Sequence, residues 1–247
     1  MAPETRRIGI IDAGTGIRKL GADFTAMGTD QKEIFIAFTH FHWDHIQGFP
    51  FFGPAYDPTT TIKILAKGGK RRAHTLKDIF ATQMQETYFP VSMRDMGANF
   101  DFILLDSSSH TFIPPDGIPV TIKAIKHRHP GDAYSYRYER AGRSIVFSTD
   151  IEHGDAIDEN IVTFAQGADI LIHDGQYSNE ELATKRGWGH SSFEQAAEVA
   201  IRANVRQLVV THHDPDHDDD YLENAEKLCQ DIFPDALFAR EGMVLST

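Results

Sequence analysis

The chain has 247 residues, 41% of them hydrophobic and 24% charged, with a formal net charge of −12. This is the composition of an ordinary folded chain rather than a disordered or fibrous one. No run of about 18 apolar residues is present to span a bilayer, and no basic segment with an apolar core and cleavage site opens the chain, so no membrane partner is expected. The acidic balance argues against an extended nucleic-acid surface, and the single cysteine, Cys229, has no internal disulfide partner and fits a reducing cytoplasm.

Taken in order, an apolar strand over Ile8–Ile11 ends in Asp12-Ala13-Gly14-Thr15-Gly16, whose two glycines mark a tight turn. A strand at 34–38 runs into Thr39-His40-Phe41-His42-Trp43-Asp44-His45. Extended backbone beyond Phe38 sets His40, His42 and Asp44 on one side and turns Phe41 and Trp43 into the core, with His45 starting the next bend. Residues 48–54 carry too much Gly and Pro for regular structure and read as an apolar loop. Residues 61–66 alternate as a strand, and 72–88 reads as a helix closed by Phe89-Pro90.

Strands follow at 102–105 and 120–126, then a hairpin of 133–139 and 144–148 around Arg140-Ala141-Gly142-Arg143. A short helix at 158–166 and a buried strand at 169–173 come next. Ser191 and Glu194 form a capping-box pattern ahead of a helix that places Phe193, Ala196, Ala197, Ala200 and Ile201 on one face. A strand over Gln207–Thr211 ends at His212-His213-Asp214-Pro215, a helix spans 219–233, and a last strand covers 236–245. No repeat or linker interrupts the series, so 1–247 reads as one α/β domain of sheets covered by helices.

The chain holds 13 histidines, and several potential ligands fall where apolar strands end: His40, His42, Asp44, His45, His129, Asp150 and His212. Strand ends at one sheet edge converge in space although they are distant in sequence. Imidazole and carboxylate groups suit zinc, manganese or iron, and the lack of cysteines argues against a closed structural zinc cage.

These pieces resemble a known superfamily. His40-Phe41-His42-Trp43-Asp44-His45 resembles the H-x-H-x-D-H signature of the metallo-β-lactamase fold, and Asp12-Ala13-Gly14-Thr15-Gly16 resembles its first motif. His129-Pro130-Gly131 ahead of Tyr136-Arg137-Tyr138, Ser148-Thr149-Asp150 and Val210-Thr211-His212 are similar to the later motifs in the phosphodiesterase and tRNase Z branch. Gly189-His190-Ser191-Ser192 is similar to that branch's His-Ser-Thr motif, with Ser192 in place of Thr. The resemblance implies a four-layer αββα sandwich with about two further strands ahead of Asp12; only eleven residues precede it here, so the expectation is a truncated chain, a misplaced start or an edge supplied by a partner, and an exposed edge would invite pairing with another chain. A homodimer is implied as well.

Carried over by position, the resemblance implies that His40, His42 and His129 hold one metal ion and Asp44, His45 and His212 a second, with Asp150 bridging. The cofactors are then two divalent ions, zinc first and manganese or iron as alternatives. Two cations about 3.5–4 Å apart can share a hydroxide as the nucleophile. Asp44 and Asp150 thereby enter the catalytic set, His190 is the candidate proton donor to the leaving group, and Asp12 orients a ligand or a turn.

Competing readings stand beside these. His127 is a rival for His129 and His213 for His212, and His190 could simply start a helix. The acidic run from Asp214 to Asp220 reads as an exposed helix start. Phe49, Phe51, Phe52 and Phe89 are either core or a wall that stacks a base, and Asp174 and Tyr177 remain without a role. The main expectation is hydrolysis of a small anionic phosphodiester, a cyclic nucleotide or cyclic sugar phosphate. The alternatives are a tRNase Z-type 3′ endoribonuclease and a lactam, lactone or thioester hydrolase. The tRNase branch often carries a basic arm between the third His motif and the Asp motif, and the interval from His129 to Asp150 holds a hairpin and no arm.

Overall fold

The computed structural model describes residues 8–26, 33–67, 70–114 and 116–247. The chain divides into two compact units, the first ending at Ser107 and the second covering Ser108–Thr247.

The first unit contains β1 (Ile8–Ile11), α1 (Gly16–Ala26), β2 (Glu33–Phe38), α2 (Trp43–Ile46), two 3₁₀ turns (Phe49–Phe51 and Gly53–Tyr56), β3 (Thr61–Lys67), α3 (Lys70–Gln83) and β4 (Asn99–Leu105). Its four strands form a parallel sheet in the order β1-β2-β3-β4. Parallel neighbours need a crossover, and helices supply it. In β2 the alternation buries Ile34, Ile36 and Phe38, which join Ile62, Ile64, Phe49, Phe52, Leu76 and Phe80 in one core. Phe49 and Phe52 are therefore core residues. Phe51 is exposed and meets Phe89 edge-on at 5.4 Å.

The second unit contains β5 (Ser109–Phe112), β6 (Val120–His127), β7 (Ala133–Arg140), β8 (Arg143–Ser148), α4 (Glu159–Ala165), β9 (Ile170–Asp174), α5 (Asn179–Leu182), α6 (Phe193–Arg202), β10 (Gln207–Thr211), α7 (Asp219–Ile232) and β11 (Ala236–Phe238). The sheet order is β11-β10-β9-β8-β7-β6-β5, antiparallel from β5 to β8 and parallel from β8 to β11. The β7–β8 hairpin closes through Ala141 and Gly142, both at positive φ, the two-residue turn whose twist matches the strands. It fills the interval between His129 and Asp150. Helices α4, α6 and α7 cover a core of Val146, Ile161, Leu171, Ala197, Leu208 and Cys229.

The α/β class is borne out, and several boundaries move. Helix α1, β5 and α5 are not among the expected elements, although Ser178 and Glu181 form a capping box at the start of α5. Helix α3 stops at Gln83 rather than near 88, β4 starts at Asn99, and β11 is three residues long because the chain turns away after Ala239. The capping box of α6 is Ser192 with Gln195, not Ser191 with Glu194. Ser191 is already committed: its hydroxyl donates to Ile151 O and its amide to Asp174. Ile201 is exposed rather than part of the buried face. The acidic run does start a helix, with Asp218 accepting from Tyr221 N and Asp219 and Asp220 in the first turn of α7.

Candidate metal centre

In the first unit, the ligand stretch leaves β2 and winds into α2 at Trp43 instead of staying extended. Asp44 and His45 therefore sit on a helical turn, and Trp43 is 60% exposed rather than buried. Phe41 is partly buried and stacks on Phe38 at 5.7 Å, as expected. Asp12 anchors this turn from the end of β1. Its backbone is left-handed (φ 59°), Ala13 N donates to His45 O at 2.7 Å, and Gly48 N donates to Ala13 O at 2.8 Å. The approach is so close that a Cβ on Gly48 would overlap Gly14 O.

The Asp12 carboxylate accepts from Thr39 N at 2.8 Å, Thr39 Oγ1 at 2.7 Å and His45 Nδ1 at 2.8 Å. Burial pushes its pKa up, and His45 and Thr39 pull it down. These bonds assign tautomers. His45 carries its proton on Nδ1. Thr39 gives its own proton to Asp12, so its oxygen accepts from His40 Nδ1 at 3.1 Å. Both rings then present an Nε2 lone pair. The His42 and His45 rings lie 4.5 and 4.2 Å from that of His40, and His45 Nε2 is 3.1 Å from Asp44 Oδ2. An imidazole lone pair facing a carboxylate oxygen is favourable when a cation lies between them.

The second unit repeats this logic. Asp150 follows β8 and His212 follows β10, both left-handed (φ 54° and 61°), so each side chain is turned out of its strand's alternation. Asp150 Oδ1 accepts from Thr149 Oγ1 at 2.7 Å. His129 donates from Nδ1 to Gly189 O at 2.8 Å, which leaves its Nε2 lone pair 3.9 Å from Asp150 Oδ2. His212 Nε2 lies 3.4 Å from the same oxygen. Two nitrogens and a carboxylate oxygen gathered this way fit a divalent ion.

His127 and His213 have other partners. His127 faces the backbone of the site: Nε2 donates to Asp150 O at 3.2 Å, and Nδ1 accepts from Ser135 Oγ at 2.8 Å, which in turn accepts from Ser148 Oγ at 2.8 Å. Burial holds its pKa down at about 4, so it serves as a neutral strut. His213 stacks on Phe238 and reaches Ala239 O, which leaves His212 beside Asp150.

His190 is set by Asp174, a residue for which the sequence suggests no role. His190 Nδ1 donates to Asp174 Oδ2 at 2.8 Å, and the ring stacks on His212 at 4.9 Å. Asp174 is fully buried and also accepts from the amides of Ile151, Gln176 and Ser191. Donor atoms of Asp174, His190 and His212 lie within 4.8 Å of one another. A second unforeseen residue, Glu152, is buried and accepts from Gly187 N at 3.1 Å and Gly189 N at 3.0 Å, fixing the loop that leads to His190. Asp174 ends the apolar strand β9 and Glu152 lies two residues beyond Asp150, but no local pattern marks the contacts that give them their roles.

Ligand sets of this kind, carried on the strand ends of α/β sheets, define a metal-dependent hydrolase. The model of the beta-lactamase superfamily domain matches residues 6–213. The chain belongs to that superfamily. A ribonuclease Z of Picrophilus torridus is 27% identical over 272 residues, covering 95% of this chain and 84% of the relative. A ribonuclease Z of Gemmatimonas aurantiaca is 38% identical over 103 residues, a match spanning 42% of this chain and 31% of the relative's own length. Among solved structures, the metallo-beta-lactamase fold protein YhfI of Bacillus subtilis has a TM-score of 0.68 at 20% identity, over 95% of this chain and 85% of that one. The short form of human tRNase Z has a TM-score of 0.62 at 19% identity, over 96% and 87%. Both neighbours show the fold, which is the one the motifs implied.

These relatives correct one expectation. A small anionic phosphodiester partner and the lack of an extended nucleic-acid surface do not agree with relatives that are ribonucleases by name. Net charge sums the whole surface, whereas nucleic acid needs only a local path of positive charge, and bound cations add to it. The hairpin expected between His129 and Asp150 is present, but it does not decide the substrate. Among the described residues no helix is long and apolar enough to cross a membrane.

Proposed function

We propose that this chain is a tRNase Z-type endoribonuclease that hydrolyses phosphodiester bonds in RNA with two divalent cations, zinc foremost. The observation that carries the reading is the alignment with a ribonuclease Z over nearly the whole of both chains. Following the motif resemblance, His40, His42 and His129 would hold one ion and Asp44, His45 and His212 the other, with Asp150 between them. The tautomers support this, since the bonds to Asp12, Thr39 and Gly189 leave Nε2 of His45, His40 and His129 as the ligating atoms. When bound, the cations supply positive charge to the phosphate oxygens and lower the pKa of water.

The chain's own residues do the remaining work. Asp12 and Thr39 fix the ring orientations in the first unit. His127 and the Ser135–Ser148 pair fix the backbone of Asp150. His190 is oriented through Nδ1 by Asp174, so Nε2 is the ring atom that would pass a proton to the leaving oxygen.

A panel of 3′-extended pre-tRNA, bis-p-nitrophenyl phosphate and nitrocefin, assayed with zinc or manganese, tests the reading. Cleavage of the RNA 3′ extension and of the bis-ester is expected, with nitrocefin left intact. An enzyme that opens nitrocefin and spares both phosphodiesters would overturn it.

A further inference from the structure

Trp188 is 59% exposed, yet it stands on one of the most firmly held loops of the second unit. Its neighbours Gly187 and Gly189 are both left-handed (φ 86° and 94°), and the buried Glu152 carboxylate accepts from the amides of both. Gly189 O accepts from His129, and a Cβ on Gly189 would overlap that ring. Trp188 N donates to Lys185 O at 3.2 Å. Lys185 Nζ lies 4.4 Å from the indole centroid and 5.9 Å from the Tyr177 ring. The backbone on both sides of the tryptophan is therefore fixed, one of its faces carries a cation, and the next residue but one is His190.

A singly exposed indole is ordinary on a protein surface; what sets Trp188 apart is its clamped loop, the lysine over one of its faces and its place two residues before His190. An aromatic face beside a lysine is the recurring platform for an unpaired nucleobase: the ring stacks on the base and the ammonium attracts the neighbouring phosphate. We propose that Trp188 stacks an unpaired base of the RNA next to the scissile phosphate, with Lys185 on the adjoining phosphate. This rests on the RNA-cleaving reading above. The fixed glycines make the platform preformed, so its ordering cost falls on the RNA alone.

The test uses full-length, metal-loaded protein with Trp43→Phe, which leaves Trp188 as the one indole. Titration with a short single-stranded oligoribonucleotide should quench Trp188 fluorescence, and a blunt duplex should not. In the wild-type background, Trp188→Ala should raise KM for a substrate with a single-stranded 3′ extension roughly 5- to 150-fold. Trp188→Phe should recover most of the loss, and turnover of bis-p-nitrophenyl phosphate and the thermal midpoint should stay unchanged. Unaltered fluorescence with the oligonucleotide, or an unchanged KM in Trp188→Ala, overturns the proposal. So does a change in oligomeric state in Trp188→Ala without a change in RNA binding, which would make the indole a subunit contact. If wild-type protein cleaves no RNA, the functional reading fails, and the fluorescence titration still decides whether Trp188 binds a base.

Discussion

His190 and Asp174 are joined through Nδ1 and Oδ2 at 2.8 Å, with the carboxylate wholly buried and the imidazole partly open. The pairing leaves Nε2 as the one ring atom able to exchange a proton with substrate. His190→Ala should reduce kcat by about 10²- to 10⁴-fold for an alkoxide leaving group and far less for p-nitrophenolate, which needs little protonation. Asp174→Asn should show the same leaving-group dependence with a smaller loss. Steady-state kinetics on the two ester classes checks this, and equal losses on both would remove His190 as the proton donor.

Asp150 lies 3.4 Å from His212 and 3.9 Å from His129 through one oxygen. Asp150→Ala should lose bound metal and turnover together while the far-ultraviolet circular dichroism stays native, because Asp150 is a strand-end carboxylate rather than an apolar core side chain. Elemental analysis of the purified variant against wild type, for which close to two ions per chain are expected, measures it. Full activity in the variant would contradict the bridging role.

His127 holds the Asp150 carbonyl rather than its carboxylate. Replacing such an outer partner typically weakens a metal site about 10- to 100-fold. His127→Phe should show a shift of that size in zinc affinity by competition with a chromophoric chelator. His213→Phe, whose ring stacks on Phe238 and reaches Ala239 O, should leave zinc affinity unchanged.

Cys229 is buried in the second core beside Phe193, and burial pushes its thiol up to about 12. The native protein should not react with a thiol reagent at neutral pH, and labelling should track unfolding in denaturant. Rapid labelling without denaturant would show that α7 opens locally.

Motif spacing makes most of the candidate ligands legible, because they follow apolar strands whose ends are easy to find. His40, His42, Asp44 and His45 gather at the end of β2 in the first unit, and His129, Asp150 and His212 gather in the second. Trp43 departs from its expected orientation because a period of two does not extend past the end of β2, where the chain has already begun to wind. Asp174 and Glu152 are harder to find because their roles depend on contacts to glycine amides and to His190 that no local pattern encodes. The capping box shifts by one residue because Ser191 has a tertiary partner in Ile151 that outcompetes the helix end. Substrate is the least legible of all: a whole-chain charge and one short interval do not report what a local surface binds.

The left-handed backbone at Asp12, Asp150 and His212 has a consequence for how this chain can vary. At such positions Asn, Asp, His and Gly are tolerated, while β-branched or bulky apolar residues are penalised by sterics alone. At Asp150, the proposed bridging role would also need a carboxylate, and the residue that satisfies both demands without strain is aspartate. Even Asp150→Glu would fail twice, by reach and by conformation. The fold thus penalises β-branched and bulky apolar residues at these positions independently of chemistry, so deep mutational scanning scored on folding alone should find those residue classes depleted there while Asn and Gly persist.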